Sequence, residues 1–366
     1  MIRHLLRFLP VLGAGVLVAT WGRDLSPPVA AAVALVHVAV VMVAVVHAEA
    51  IAHRIGEPFG TLVLAVAVTV IEVALIVTLM ITEGDKAATL ARDTVFAAVM
   101  IVCNGIVGVC LLLASRRTHL VRFSEQGANA LLGTIVTLAT LSLVMPRFTS
   151  STSGPTFSAS QLAFSAVAAA SVYGIFVFVQ TRRLRWMFVE QSDSDTGSVT
   201  GGQSPDEQGT EVPHSDTSLL EPLASLLVSL VVVVGLAKTL SPSIEDAIVW
   251  AGAPQSFVGV IIALMVLLPE SIAAFRAAAR NEMQTSLNLA LGSALASIGL
   301  TIPAIAVASI WLDGEIVLGL GPKEIVLLVL TAVVGILTFG SGRATVLQAT
   351  HHLVLFIAFI FLSIVP

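Results

Sequence analysis

The chain has 366 residues, 57% of them hydrophobic and 11% charged, with a mean hydropathy of +0.98 and a net charge of −5. A soluble domain of that composition would expose too much apolar surface, and a nucleic-acid surface would need a basic face that this chain lacks. Stretches of roughly 17 to 25 apolar residues recur, the length a helix needs to cross about 30 Å of hydrocarbon while satisfying its own backbone hydrogen bonds. The expected fold class is an all-α polytopic membrane protein.

Hydropathy predicts about eleven spans, near residues 8–22, 28–50, 60–82, 94–114, 128–146, 159–180, 219–240, 255–275, 285–309, 322–340 and 345–365. The first is the weakest, because Arg3 and Arg7 before a short apolar run ending at Trp21 also describe a signal peptide. Without a small-x-small cleavage site it reads as a retained helix. Loops that stay in the cytoplasm are enriched in Lys and Arg. A cytoplasmic N-terminus puts 12 of the 18 basic residues inside, Arg116, Arg117, Arg182 and Arg183 among them, and 6 outside. An odd number of spans then leaves the C-terminus external.

Residues 187–218 break the pattern, being rich in Ser, Gly, Thr and Asp. Between Trp186 and Lys238 there is no Lys or Arg, while Glu190, Asp193, Asp195, Asp206, Glu207, Glu211, Asp216 and Glu221 carry negative charge. This reads as a disordered acidic cytoplasmic linker, a solvated tether or a cation-attracting regulatory loop. It divides the chain into a lone helix (1–27), five helices (28–186), the linker (187–218) and five more helices (219–366). Five is odd, so the two groups must lie in opposite orientations, the topology of inverted repeats with a binding site at the midplane between them.

Each half holds one acid inside a span, Glu72 in the third and Glu270 in the eighth. A carboxylate in mid-membrane is expensive and is kept when it meets an ion, a proton or a partner charge. By rise alone the two sit within about 10 Å of one depth. A weaker echo follows each: Asn104 and Gly105 come after Glu72, and Asn288, Gly292 and Ser293 after Glu270, with 104 and 105 opposite 292 and 293 when Asp93 is set against Asn281. Glycines such as Gly105, Gly108 and Gly299 also serve close helix packing.

The run from Gly56 to Val73, and Leu268 to Ala274 followed by Gln284 to Pro303, resemble the two signatures of ChaA-type bacterial cation/proton antiporters, in the calcium/cation antiporter superfamily. The likeness spans most of the chain, with the linker least comparable. It implies two inverted repeats in the bacterial cytoplasmic membrane and exchange of Ca²⁺, Na⁺ or K⁺ for external protons. It makes Glu72 and Glu270 the central acids, supported by Asn104, Asn288, Ser293 and Thr69. The better-studied calcium/proton branch reads Gly-Asn-x-x-Glu. Here Val68 stands four before the first acid, and Leu268 and Pro269 precede the second, so an amide of that branch is missing.

The chemistry agrees with the resemblance. Ca²⁺ takes about six to eight oxygens, which carboxylates, carbonyls and hydroxyls supply, and the same oxygens hold Na⁺ or K⁺. Two carboxylates in low dielectric repel, so one takes a proton when no metal is present, and metal and proton compete. An empty, doubly charged site resists occlusion, which makes exchange obligatory. The cations are cargo, and no resident cofactor is expected. Two other classes share some of these features: a passive cation channel would share the acids without moving protons, and a membrane-embedded enzyme would need a nucleophile elbow, a His-Glu-x-x-His or a phosphate loop, none of which occurs.

The remaining polar residues have blander readings. His37, His47, His53, His351 and His352 are expected as hydrogen-bonded core groups, with His47 and His352 the candidates for a proton relay. Glu72 pairing with His47 is the alternative to an ion site. Glu57 beside Arg54 suggests an interfacial ion pair, Lys238 a snorkelling cation, and Asp93 solvated loop charge or an entrance funnel. Cys103 and Cys110, about 10 Å apart on one helix, are too far apart for a disulfide. The sequence leaves homo-oligomerisation open.

Overall fold

The computed structural model describes residues 2–55, 59–83, 88–116, 118–188, 220–252, 254, 256–311 and 315–365. Each long apolar run forms a helix, since in hydrocarbon a backbone must close its own hydrogen bonds. In chain order these are α1 (Ile2–Thr20), α2 (Pro27–Ile55), α3 (Phe59–Glu83), α4 (Leu90–Ser115), α5 (Glu125–Arg147) and α6 (Ala159–Arg183). The second half supplies α7 (Leu220–Trp250), α8 (Phe257–Ala279), α9 (Met283–Ala308), α10 (Pro322–Phe339) and α11 (Val346–Ile364). Among the described residues nine are long and apolar enough to cross a membrane, while α1 and α3 contribute the shorter stretches Phe8–Thr20 and Thr69–Ile81.

The expected spans match these helices within a few residues except at α7, which runs through Pro242 to Trp250. A proline inside a membrane helix bends the ladder without ending it when neighbouring groups satisfy the freed carbonyl. Of the expected linker, residues 189–218 lie outside the described residues. Met187 and Phe188 close a 3-10 turn, Arg185–Phe188, whose Phe188 ring meets Phe176 edge-on at 5.7 Å.

Short connections make successive helices antiparallel. Trp21, Trp250 and Trp311 follow or close α1, α7 and α9 at one end of the bundle, where all three are exposed, as in an interfacial aromatic belt. That end is called here the tryptophan face, and the opposite end, where α6 finishes and α7 begins, the linker face. The first helix belongs to the bundle. Gly13 brings it against Val40 of α2 and Val232 of α7, and Leu17 fills the space beside Gly235.

Exchanging α2–α6 with α7–α11 leaves the map of neighbouring helices unchanged. Thus α3 packs on α9 as α8 packs on α4, and α4 packs on α11 as α9 packs on α6. Glycines make both of the latter contacts close: Phe356 and Leu353 of α11 lie over Gly105 and Gly108, and Tyr173 of α6 lies over Gly299. The loops obey the same exchange. Strand β1 (Val121–Arg122), before α5, pairs antiparallel with β2 (Arg343–Ala344), before α11. Its counterpart is the antiparallel bridge of Thr156, before α6, to Val317, before α10. Even the helix caps correspond, since α6 and α11 each start on a capping box, Ser158 with Gln161 and Thr345 with Gln348.

Candidate ion site

Glu72 is the fourteenth residue of α3, counted from Phe59, and Glu270 the fourteenth of α8, counted from Phe257. At 1.5 Å per residue each lies about 20 Å along its helix, near the middle of the bundle. The two helices touch each other. Glu72 is buried, and the Ser297 hydroxyl of α9 donates a 2.7 Å hydrogen bond to its Oε1. Thr301, one turn further along α9, faces the same carboxyl. Ser293, Ser297 and Thr301, spaced by four, form a stripe of hydroxyls on one helix face. Thr69, buried one turn before Glu72, adds a hydroxyl to the same face of α3.

No basic side chain pairs with Glu72 among the described residues, and His47 does not reach it. The Nδ1 of His47 instead meets the carbonyl of Val43 on its own helix at 2.8 Å. A buried carboxylate without a counter-charge costs several kcal/mol as an anion, so it is neutralised by a cation or a proton. A hydrogen bond to a charged group contributes about 1.5–3 kcal/mol, so Ser297→Ala is expected to weaken cation binding by about tenfold or more. Half-saturating cation concentrations in proteoliposomes measure this; a value within twofold of wild type would remove Ser297 from the site.

Glu270 is half-buried and follows Pro269, whose missing N–H removes the ladder donor to the Met265 carbonyl. Asn104 is the fifteenth residue of α4, as Ser297 is of α9, so helix position makes it the counterpart of Ser297 rather than of Gly292. It is fully buried in a π-helical turn, Ile101–Ile106, and donates through Nδ2 to Thr331 Oγ1 at 2.9 Å. Its Oδ1 accepts no hydrogen bond among the described residues, which is uncommon for a buried carbonyl and leaves an oxygen for a ligand.

Asn288 is differently engaged. Its Nδ2 donates to the Phe188 carbonyl at 2.6 Å and its Oδ1 accepts from Gln284 Nε2 at 2.9 Å, about 13 Å along α9 from Ser297. Ser293 is half-buried one turn from Ser297. His352 is buried, 3.0 Å from Thr338 Oγ1 and stacked on Phe339. His37 departs from the expectation of a hydrogen-bonded core histidine: both ring nitrogens are buried without a partner among the described residues.

Sequence reasoning missed Ser297 and Thr301. The spacing of four from Ser293 was the available signal, and matching Asn104–Gly105 to Gly292–Ser293 set the register five residues short. Asp93 is not loop charge. It lies in the first turn of α4, accepts from Thr89 at 2.7 Å and pairs with Arg92 at 2.8 Å, beside a cleft at the tryptophan face that Lys323, Glu324 and Ser256 also line. Lys238 sits over the Trp21 ring at 5.3 Å, and Cys103 and Cys110 are free and buried. Glu57 lies outside the described residues.

Two acids at matching positions of an exchange-symmetric helical bundle, one of them ringed by hydroxyls, define a multi-pass membrane ion transporter and not an enzyme. The family model for the sodium/calcium exchanger protein matches residues 26–182 and 222–365, and the chain belongs to that family. It is 34% identical over 355 residues to the sodium-potassium/proton antiporter ChaA of Escherichia coli, covering 96% of this chain and 93% of that one. It is 44% identical over 329 residues to y4hA of Sinorhizobium fredii, described as an ionic transporter, covering 89% and 86%. In fold it resembles native YfkE, with a TM-score of 0.69, 16% identity and coverage of 98% and 97%. It also resembles the H⁺/Ca²⁺ exchanger CAX, with a TM-score of 0.67, 15% identity and coverage of 98% and 87%.

Proposed function

We propose that the chain is a secondary cation/proton antiporter that exports Ca²⁺, Na⁺ or K⁺ in exchange for protons by alternating access. The observation that carries this reading is Glu72, buried, without a basic partner among the described residues and bonded to Ser297, with Glu270 at the same position of the corresponding helix. Both acids bind the cation or protons. Ser297, Thr301, Ser293, Thr69 and the free oxygen of Asn104 supply further oxygens, a set that suits a hard cation. A proton or a cation neutralises the site before it is occluded, since the bare charges would be stranded in low dielectric. His47 and His352 are the candidates for a proton relay; neither has a carboxylate partner among the described residues, and His352 lies beside the π turn that holds Asn104.

The reading divides the chain into an N-terminal helix (1–27), two inverted five-helix repeats (28–186 and 219–366) and the acidic linker (187–218). The N-terminus and linker are cytoplasmic and the C-terminus external, in the bacterial cytoplasmic membrane. The basic residues support this, because Arg54, Arg116, Arg122, Arg182, Arg183, Arg276, Arg280 and Arg343 lie toward the linker face. The names of ChaA and of the H⁺/Ca²⁺ exchanger CAX support proton-coupled cation exchange. The cargo needs no resident cofactor, and the lipid bilayer is the protein's surroundings.

Everted vesicles with an acid interior and a pH-sensitive dye test the proposal. Adding NaCl, KCl or CaCl₂ is expected to alkalinise the interior, and the order of response ranks the substrates. Cation uptake without proton movement would establish the channel instead, and no flux of either would overturn transport.

A further inference from the structure

At the linker face a chain of hydrogen bonds runs through two side chains of α9. The Ser124 hydroxyl, the N-cap of α5, accepts from Gly127 N–H at 3.1 Å. The Ser124 N–H donates to Gln284 Oε1 at 2.7 Å, Gln284 Nε2 donates to Asn288 Oδ1 at 2.9 Å, and Asn288 Nδ2 donates to the Phe188 carbonyl at 2.6 Å. Gln284 is fully buried. From the other side α5 presses on the same turn: a Cβ at Gly127 would collide with the Met187 carbonyl and crowd Gln284 Nε2. Phe188, whose carbonyl ends the hydrogen-bond chain, stands two residues before Glu190, where the acidic stretch begins.

This arrangement costs two amide side chains that could otherwise line the transport path. In return it fixes the axial position of α9 against α5 and against the turn 185–188. Because α9 is one helix from Met283 to Ala308, any axial shift at Asn288 moves Ser297 by the same amount. A hydroxyl 2.7 Å from a carboxylate tolerates little displacement before its bond is lost. We propose that Gln284 and Asn288 are positioning residues: a clamp that seats α9 so that Ser297 meets Glu72, and that couples the entry of the linker to the ion site. The inference rests on the antiporter reading and gives Asn288 a role away from the cation.

The test compares half-saturating cation concentrations of Asn288→Leu, Gly127→Ala, Ser297→Ala and the Asn288→Leu/Ser297→Ala double variant in the vesicle assay, with the full chain. Asn288→Leu is expected to raise the value about three- to fivefold. Gly127→Ala, which disturbs the clamp without substituting any residue of α9, should do the same. The double variant should match Ser297→Ala alone. Three results would overturn the clamp: Gly127→Ala at the wild-type value, which makes Asn288 a direct ligand; multiplied effects in the double variant, which makes its role merely structural; or no effect of Asn288→Leu. If Asn288→Leu fails to insert, Gln284→Met cuts the same chain one link away and is judged by the same criteria. Wild-type vesicles in the same series separate the two levels, since absent exchange there defeats the antiporter reading itself.

Discussion

Glu72→Gln and Glu270→Gln are each expected to abolish proton-coupled cation exchange while leaving the protein inserted and folded. The amide keeps the size of the side chain and still accepts the Ser297 hydroxyl through its oxygen, so packing around the site survives. It loses the charge, and with it both functions: a neutral amide neither balances a cation nor takes up a transported proton. Loss of a group that touches the transported ion in every turnover leaves no parallel route, so flux should fall to the background of empty vesicles. Insertion is read independently, as a monodisperse peak in detergent. Wild-type exchange by either variant would refute the site, whereas loss of both flux and folded protein would show that the acid is structural.

The second large effect is expected at Gly259, in the first turn of α8. A Cβ there would stand 2.8 Å from the Asp93 carbonyl carbon, 2.8 Å from the Asp93 Cβ and 2.8 Å from the Thr94 nitrogen. Two of those atoms are backbone, which cannot rotate aside, so a side chain must push α8 and α4 apart. Gly259→Val should destabilise by about 3 kcal/mol, the upper end of overpacking costs. It should also spread the Thr89–Asp93–Arg92 group at the tryptophan face. Gly133→Ala in α5 is the control, because nothing lies within 4 Å of the Cβ it adds, and it should be neutral or stabilising by up to about 1 kcal/mol. Thermal loss of monodisperse protein in detergent compares them, and equal midpoints would show that the α4–α8 contact yields.

The spans were legible because bilayer thickness imposes a length that hydropathy alone reports. Glu72 and Glu270 were legible for a related reason: a carboxylate inside a long apolar run announces itself without any knowledge of the fold. What surrounds the acids was less so. Ser293 and Ser297 are identical in composition and separated by one turn, and which of them meets Glu72 depends on how α9 is seated against α3, a tertiary fact. Asn288 illustrates the same point, since an amide near an acid in sequence is a ligand or a clamp according to which helix lies beside it. The π turn at Asn104 and the two-residue strands leave no periodicity to read. Gly259 and Gly133 look alike until the neighbouring helix is in place.

The two loop bridges have a mechanical consequence. Val121–Arg122 with Arg343–Ala344 stitches one half to the other at the linker face, and Thr156 with Val317 does so at the tryptophan face. Every stitch joins α5 and its neighbours in one half to α10 and its neighbours in the other, so the halves are fastened like two subunits that happen to share a polypeptide. Rocking one entire half against the other would have to tear fastenings at both surfaces together. Helices α2, α3, α7 and α8 are joined by neither bridge, so neither bridge would oppose their displacement relative to the remaining helices.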